Sequence, residues 1–302
     1  MTASRAAIVA AAGETIARGS KSFRMSSLLF DRTTRERAWL LYAWCRACDD
    51  LADGQLLGHG ALSPADAEER LATMRAQTAR AMAGLDTGDL PFEALRIVVA
   101  ECQLPVQYIQ DHLDGFALDA RGWRPRNTAD LLTYCYHVAG AVGCMMAVLM
   151  GVAPDDSDTL QRASDLGIAF QLSNIARDLL EDAAVERCYL PTEWLAEMDV
   201  PPGEHMKPAY RPRIAVLAKR LCAMVEEYEA SARVGAARLP FRSRWAVLAA
   251  ANIYGEIARE VARRREHAWD RRVVIPRARK LALVARALGQ ARRQDAAADG
   301  AR

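Results

Sequence analysis

The sequence predicts an all-α protein, as one large helical domain or two smaller ones. Ala, Leu, Arg and Glu dominate, and the alternation of apolar and polar residues that is typical of strands is rare. The chain has 302 residues, of which 51% are apolar, so it can bury a large core. Two long segments also repeat polar residues at steps of three and four, which is the spacing of one helix face.

The N-terminal half is predicted to contain five helices. The first covers residues 3–18, and the polar break Gly19–Phe23 (GSKSF) follows it, which a loop with a helix cap would explain. A helix over 33–57 comes next. Ser63-Pro64 with Asp66 then opens a helix as a capping pattern, and Gly84 closes it. Two helices follow at about 91–103 and 105–121, where we expect His112 to be a surface residue rather than a ligand.

In the second half, Thr128 is expected to cap a helix that runs to Met150, and another helix covers 155–183. A loop at 186–191 and a surface connection at 198–208 follow. Helices at 208–233 and 240–269 complete the predicted core. The chain ends in a basic tail from about 276, which is amphipathic to about Arg293.

Gly140 and Gly143 lie inside one predicted helix, YCYHVAGAVG, where a glycine costs about 1 kcal/mol relative to alanine. Close packing of another helix is one reason to keep them. A flexible hydrocarbon lying against the helix is the other, since the apolar MMAVLM that follows would extend the same surface.

Two helices are predicted to carry acidic faces. On the first (YAWCRACDDLAD), Tyr42, Arg46, Asp49 and Asp53 fall within about 60°, because each residue turns the helix by about 100°. On the second (QLSNIARDLLED), the same face holds the residues Gln171, Asn174, Asp178 and Asp182. A single pair of aspartates four residues apart is usually a solvated face, but two such faces beside apolar residues are harder to explain in that way.

Four aspartates facing each other in a poorly hydrated cavity would repel strongly unless cations lay between them. Mg²⁺ fits this role, because it is typically held by one or two carboxylates together with waters and phosphate oxygens. Mn²⁺ is a substitute of similar preference. The expected ligand is therefore a diphosphate.

The bulk properties exclude several classes. A formal charge of +2 gives no reason to expect a nucleic acid partner. Seven Cys at irregular spacing suggest a reducing compartment, and the Cys45–Cys48 CxxC lacks a second pair, so we expect no metal-thiolate site. We find no signal peptide pattern and no uncharged apolar run of about 18 residues, which predicts a cytoplasmic protein.

The four motifs GSKSF, YAWCRACDDLAD, YCYHVAGAVG and QLSNIARDLLEDAAVERCYLP, in this order, resemble the squalene and phytoene synthase family, and most of all its bacterial phytoene synthases. The resemblance covers nearly the whole chain. It implies a single isoprenoid-synthase (terpenoid synthase) domain, residues 1–302, around a central cavity. Gly19 is a departure, since some relatives carry His there, but it leaves the Ser and Lys donors intact.

The resemblance also implies roles for individual residues. The implied metal ligands are Asp49, Asp53, Asn174, Asp178 and Asp182. The implied diphosphate-binding residues are Ser20, Lys21, Ser22, Arg46, Arg177 and either Arg271 or Arg272. Implied at the reaction centre or along the prenyl chain are Phe23, Tyr42, Val138, Gly143, Gln171, Tyr254 and either Tyr134 or Tyr136, with Tyr189 closing the site.

In this family two prenyl diphosphates are joined through a cyclopropylcarbinyl diphosphate. For phytoene the substrate is geranylgeranyl diphosphate and no NADPH is consumed. A squalene or dehydrosqualene synthase that uses farnesyl diphosphate is the alternative within the family, and a non-catalytic helical scaffold of the same fold is the alternative outside it. Since phytoene has no polar group, we expect peripheral contact with a membrane, for which the basic tail is the candidate; a terminal helix packed on the core is the other interpretation of that tail.

Overall fold

The computed structural model describes residues 3–53 and 67–300, with side chains described for 3–52 and 67–296. No strand occurs in these two ranges, which agrees with the all-α prediction. The helices are α1 (Arg5–Gly19), α2 (Lys21–Ser27), α3 (Arg32–Asp53), α4 (Ala67–Met82), α5 (Leu90–Cys102), α6 (Val106–Ala120), α7 (Thr128–Cys135), α8 (Ala141–Leu149), α9 (Ser157–Ala184), α10 (Thr192–Glu197), α11 (Arg211–Ala236), α12 (Phe241–Arg264) and α13 (Arg277–Gly300).

The GSKSF motif is a helix junction rather than a loop. Ser20 has an extended backbone, and its side chain accepts a hydrogen bond from the Phe23 backbone N–H at 3.2 Å, which caps α2. Gly19 is the last residue of α1, and Lys21, Ser22 and Phe23 belong to α2. The polar break predicted from the sequence is therefore a single residue long, Ser20 between α1 and α2.

Several helix boundaries differ from the prediction for local reasons. Asn127, not Thr128, caps α7, because the Asn127 side chain accepts from the Asp130 backbone N–H at 2.9 Å. The last core helix ends at Arg264 instead of 269, since Arg265 takes a left-handed φ of 53°. α4 ends at Met82, shortly before Gly84 with its φ of 74°. The Ser63-Pro64-Asp66 capping pattern and residues 54–57 of the predicted helix lie outside the described residues.

The helix predicted from Thr128 to Met150 is continuous but contains a π-helical turn, Tyr136–Gly140, between α7 and α8. By length and composition Thr128–Leu149 could cross a membrane, with a mean hydropathy of 1.5, so the statement that no such apolar run exists is wrong. The helix nevertheless lies in the centre of this fold. Leu131, Cys135 and Met145 on it are fully buried.

Two large apolar clusters form the core. The first gathers buried residues of α7, α9, α11 and α12, and the second those of α1, α3, α5 and α8. Trp44 on α3 is fully buried in the second cluster, and its indole N–H donates to Thr78 at 3.3 Å. α9 contributes to both clusters, so the second acidic helix runs through the middle of the molecule.

The basic tail is a helix packed on the core. Leu283, Ala287 and Ala291 of α13 are buried, and Asn252 on α12 donates to Gln290 at 2.9 Å. The apolar side of the amphipathic tail therefore faces α12. This is the second of the two interpretations that the sequence allowed for it.

Two polar segments are more buried than we expected. His112 is 3% exposed, lies between the rings of Trp44 and Phe116 and is not a surface residue. In the 198–208 connection, which was expected on the surface, His205 is 3% exposed. The seven cysteines are free, and Cys48 is a buried packing residue, as predicted.

Candidate active site

A cavity of about 320 Å³ lies at the centre of the helices. Most of its wall is apolar, and polar side chains gather at one end. α9 lines it from Asn174 to Thr159, which corresponds to about 22 Å at 1.5 Å per residue. The cavity is thus long and narrow, with chemically different ends.

The structure brings nine of the predicted site residues to the wall of this cavity. They are Ser20, Phe23, Tyr42, Asp49, Val138, Gly143, Gln171, Asn174 and Tyr254. Among the other predicted residues whose side chains the structure describes, the following do not line it: Lys21, Ser22, Arg46, Tyr134, Arg177, Asp178, Asp182, Tyr189, Arg271 and Arg272. Several of these lie at the polar end, as the contacts below show.

Aromatic rings surround the polar end of the cavity. Phe23 lies 5.6 Å from Tyr42 between ring centroids, and Phe170 stacks on Tyr254 at 4.1 Å. Burial raises the pKa of Tyr42 to about 12 and outweighs the opposite effect of Arg46, so the phenol is neutral at physiological pH. Faces of such rings attract a cation.

Tyr254 connects three parts of the site. Its side chain hydrogen-bonds Ser20, and the charge of Arg177 on α9 acts on it, while burial raises its pKa. In addition to burial, the electrostatic effects of Asp49 and Tyr254 raise the pKa of Tyr42 on α3. The GSKSF junction, both acidic helices and α12 therefore converge on one place.

The acidic face of α3 differs in detail from the prediction. Arg46 donates to Asp50 Oδ1 at 2.5 Å, and Asp49 is exposed at the cavity. Asp53 is the last residue of α3, and its side chain lies outside the described part of the chain.

On α9, Asp178 is bound by two arginines. Arg272 donates to both of its carboxylate oxygens at 2.9 Å, and Arg177 forms a second ion pair. Burial raises the pKa of Asp178, but these hydrogen bonds outweigh it and hold the pKa below its usual value. Two arginines of the protein therefore offset the charge of this aspartate, in addition to any bound cation. Asp178 also has non-helical angles, φ −100° and ψ 15°, so α9 is kinked there.

Asp182 lies one turn further along α9. Burial, and then the charge of Asp178, raise its pKa to about 7. No set of three or more acidic, His or Cys side chains is arranged to hold a cation within the described ranges. The donors nevertheless suit a hard cation, because they are carboxylate and amide oxygens, and because a cation would offset the cost of ionising Asp182.

The structure distinguishes the residues that the sequence left open. Both arginines are exposed, but the Arg272 guanidinium donates to Asp178, whereas for Arg271 it is the backbone carbonyl that accepts from Arg264. The hydroxyls of Tyr134 and Tyr189 donate to the two oxygens of Asp119, at 3.0 and 3.1 Å, and their rings stack. Tyr136 instead donates to Asp111 at 2.5 Å.

The two helix glycines are explained by packing. A Cβ on Gly143 would lie 2.3 Å from the carbonyl oxygen of Ala163, and one on Gly140 would lie 2.7 Å from Ser164 Oγ. Both partners belong to α9. Gly143 also lines the cavity, but the backbone of α9 already excludes any side chain at this position.

Sequence reasoning missed three residues of the site. Phe170 lines the cavity one turn before Asn174, so helical spacing could have identified it. His112 also lines the cavity, and its position four residues before Phe116 was the available signal. Lys280 Nζ donates to Ser22 Oγ at 2.7 Å. This contact joins distant parts of the chain, so no local sequence pattern predicts it.

Comparison with known proteins identifies the family to which this chain belongs. A family model described as squalene/phytoene synthase matches residues 16–279. The chain belongs to the squalene/phytoene synthase family. The match includes the GSKSF junction, both acidic helices and Arg272, and it confirms the family that the motifs predicted.

Named relatives lie within the same family. The chain is 44% identical to a 15-cis-phytoene synthase of Pantoea ananas, over 92% of this chain and 90% of that protein. It is 40% identical to a 15-cis-phytoene synthase of a Paracoccus species, over 92% and 90% of the two chains. A dehydrosqualene synthase crystallised with a ligand superposes with a TM-score of 0.83 at 25% identity, covering 94% of this chain and 96% of that one. The predicted terpenoid-synthase fold is thus confirmed.

Proposed function

We propose that this prenyltransferase joins two molecules of geranylgeranyl diphosphate to phytoene, the first committed step of carotenoid biosynthesis. The observation that carries the proposal is the long apolar cavity whose polar end is lined by Asp49 of α3 and by Asn174 of α9, one turn before Asp178. A prenyl diphosphate has the matching shape, with one charged end and a long hydrocarbon chain. Relatives named 15-cis-phytoene synthase at 40–44% identity support the product.

The charged end of the site is suited to ionising an allylic diphosphate. Mg²⁺ held by Asp49, Asp53, Asn174, Asp178 and Asp182 would supply positive charge to the departing diphosphate. Arg177 and Arg272 already lie at Asp178, and Ser20 of the GSKSF junction hydrogen-bonds Tyr254, on which the charge of Arg177 also acts. These donors stabilise the charge that develops on the leaving oxygen.

The apolar wall determines what happens to the carbocation. It must meet the double bond of the second substrate before it meets water, and an apolar lining excludes water. The rings of Tyr42, Phe170 and Tyr254 lie at the same end and favour a nearby positive charge. The cyclopropylcarbinyl diphosphate that forms ionises in turn, rearranges and loses a proton. Two diphosphates and two protons leave in total, and no reductant such as NADPH enters.

An assay with defined substrates tests this function. Purified protein with Mg²⁺ should convert geranylgeranyl diphosphate to phytoene, identified by mass spectrometry, and use farnesyl diphosphate less well. EDTA should abolish turnover, and Mg²⁺ or Mn²⁺ should restore it, because the ionising step needs the added positive charge. Full activity in metal-free buffer would contradict the metal-dependent mechanism. Dehydrosqualene or squalene as the main product would support the fifteen-carbon alternative, and no product from either donor would favour the scaffold.

We further propose that the protein is cytoplasmic and touches the inner face of the membrane beside its polar end. Val274 and Leu281 are 67% and 62% exposed, and they lie among Arg271, Arg277 and Lys280. Apolar side chains within a basic surface suit an anionic bilayer. The contact would shorten the path of an insoluble product, whose exposure to water costs about 0.8 kcal/mol per CH₂.

Sedimentation with liposomes tests the membrane contact. Binding should rise with anionic lipid and fall with salt, and Val274→Asp with Leu281→Asp should weaken it. Val106→Asp is the control, because Val106 is 48% exposed at the start of α6 and residues 103–110 around it include no Lys or Arg. Truncation after Ile275 is a poorer test, since it removes α13 from the buried Leu248 and Ala249. If the double variant and the control variant bind liposomes equally well, the membrane contact lies elsewhere on the protein.

A further inference from the structure

The end of the cavity opposite the aspartates has an unexpected charged residue. Phe30, Met150 and Leu239 close one side of this deep end, and they are buried together in an apolar cluster. Arg162 on α9 lines the other side together with Thr159, one turn nearer the N-terminus of α9, whose hydroxyl accepts a hydrogen bond from Arg238 at 2.9 Å. An arginine at the deep end of an apolar cavity requires an explanation, because a buried guanidinium without partners is costly.

The aliphatic part of Arg162 closes the space between α9 and α11. A Cβ on Gly235 of α11 would lie 2.6 Å from Arg162 Cβ and 3.2 Å from its Cδ, so the stem lies directly on the glycine. The stem is thus packed across the end of the cavity, as long charged side chains do when they cover apolar surface.

The guanidinium of Arg162 points away from the cavity into a polar network. Its Nε donates to Asp158 Oδ2 at 3.1 Å, and its Nη1 donates to Ser231 Oγ at 3.4 Å. Arg238 binds the same Asp158 at 2.6 Å, and the Asp158 side chain is 53% exposed. On the side of Arg162 there is therefore a polar network that reaches the surface, whereas Phe30 and Met150 on the other side are buried in an apolar cluster.

We propose that Arg162 ends the prenyl tunnel and sets the upper limit of the chain length that the enzyme accepts. This inference rests on the proposed function, since it concerns the hydrocarbon tail of that substrate. Shortening a side chain of the apolar cluster would leave a cavity enclosed by other core residues. Shortening Arg162 instead opens a path toward the surface, along which a longer tail can extend.

Competition between two donors in each variant tests the inference. The readout is the ratio of kcat/KM for the twenty-five-carbon homologue, geranylfarnesyl diphosphate, to that for geranylgeranyl diphosphate. Arg162→Ala should raise this ratio by about tenfold or more, because each methylene that finds room is worth about that factor. Arg162→Met, which keeps an unbranched stem without charge, should leave the ratio near that of the wild type. Asp158→Asn, which removes the ion pair but keeps the stem, should do the same.

The outcomes separate this inference from the proposed function. An unchanged ratio in folded Arg162→Ala would overturn the inference even if phytoene is made normally. If the ratio rises equally in Asp158→Asn, the Arg162 stem is not what limits the chain length. If Arg162→Ala does not fold, Arg162→Ser replaces it as an equally short, polar variant that suits the helix surface. A wild-type protein that makes no phytoene would instead contradict the function on which the test depends.

Discussion

Replacing Asp182 with Asn should lower the rate of phytoene formation by about 10²–10³-fold, since several kcal/mol of charge stabilisation by a metal correspond to such factors. Asp182 is the aspartate whose pKa is raised to about 7 by burial and by Asp178. A bound cation would lower that cost, and an amide can neither ionise nor replace the carboxylate as a strong ligand.

In the absence of metal, Asp182→Asn should be at least as stable as the wild type. The pKa of an aspartate in the unfolded chain is about 4, so ionisation of Asp182 in the folded protein costs stability as pH rises from about 4 to about 7. Asn lacks this cost, and thermal melts in EDTA at pH 8 should therefore give an equal or higher Tm. Asp114→Asn is the control, because Asp114 is a surface residue paired with Arg75, and it should alter neither rate nor Tm appreciably. A strongly reduced Tm for Asp182→Asn would indicate a structural role.

Asp49→Asn and Asp178→Asn should reduce turnover to a similar extent but differ in stability. Asp49 is exposed at the cavity, so its replacement should leave Tm nearly unchanged. In the wild type, Arg177 and Arg272 both pair with the Asp178 carboxylate, and the replacement removes this carboxylate from both of them. We therefore expect Asp178→Asn to melt lower than Asp49→Asn, although relief of repulsion alone would predict no loss.

Gly167→Ala should destabilise the protein by about 3 kcal/mol or more, at the upper end of the cost of overpacking. A Cβ there would lie 2.1 Å from the carbonyl oxygen of Ala139, and backbone cannot move aside as a flexible side chain can. Urea unfolding measures the effect. Gly289→Ala on α13 is the matched control: the nearest atom is the flexible end of Arg293 at 3.6 Å, and alanine favours a helix by about 1 kcal/mol.

Gly143→Leu should fail in the same way as Gly167→Ala. Its Cβ alone would meet the backbone of Ala163 at 2.3 Å, so activity with fifteen- and twenty-carbon donors should fall together. A selective loss of the twenty-carbon activity in a stable Gly143→Leu protein would show that the hydrocarbon, and not α9, is the neighbour that matters. Chain length is better examined at side chains of the cavity wall.

The helices and the two acidic faces could be predicted because they depend on local spacing. Asp49 and Asp182 follow a helical period and could be assigned before any contact was known. The ion pairs could not, since Arg272 and Asp178 are separated by 94 residues and a helix wheel does not show what lies opposite. Lys280 at Ser22, 258 residues away, is a similar case.

Burial was harder to infer than helical state. His112 was expected on the surface because it stands between two aspartates, yet Asp111 is also buried and binds Tyr136. Polar side chains that satisfy one another inside a helix bundle leave the same local pattern as a solvated face. The π-helical turn at Tyr136–Gly140 could not be predicted either, and it lies where Ser164 and Gly167 of α9 pack closely against Ala139 and Gly140.

A single helix, α9, carries the acid pair near its C-terminal end and the deep wall of the cavity near its N-terminal end. Asp178 and Thr159 are separated by about 28 Å along this helix at 1.5 Å per residue. Mutations that alter the size of the substrate can therefore accumulate at one end without disturbing the chemistry at the other. Such separation lets one ancestral framework give rise to enzymes for shorter or longer isoprenoids, each reached by a few changes at the far end while the reaction is inherited intact.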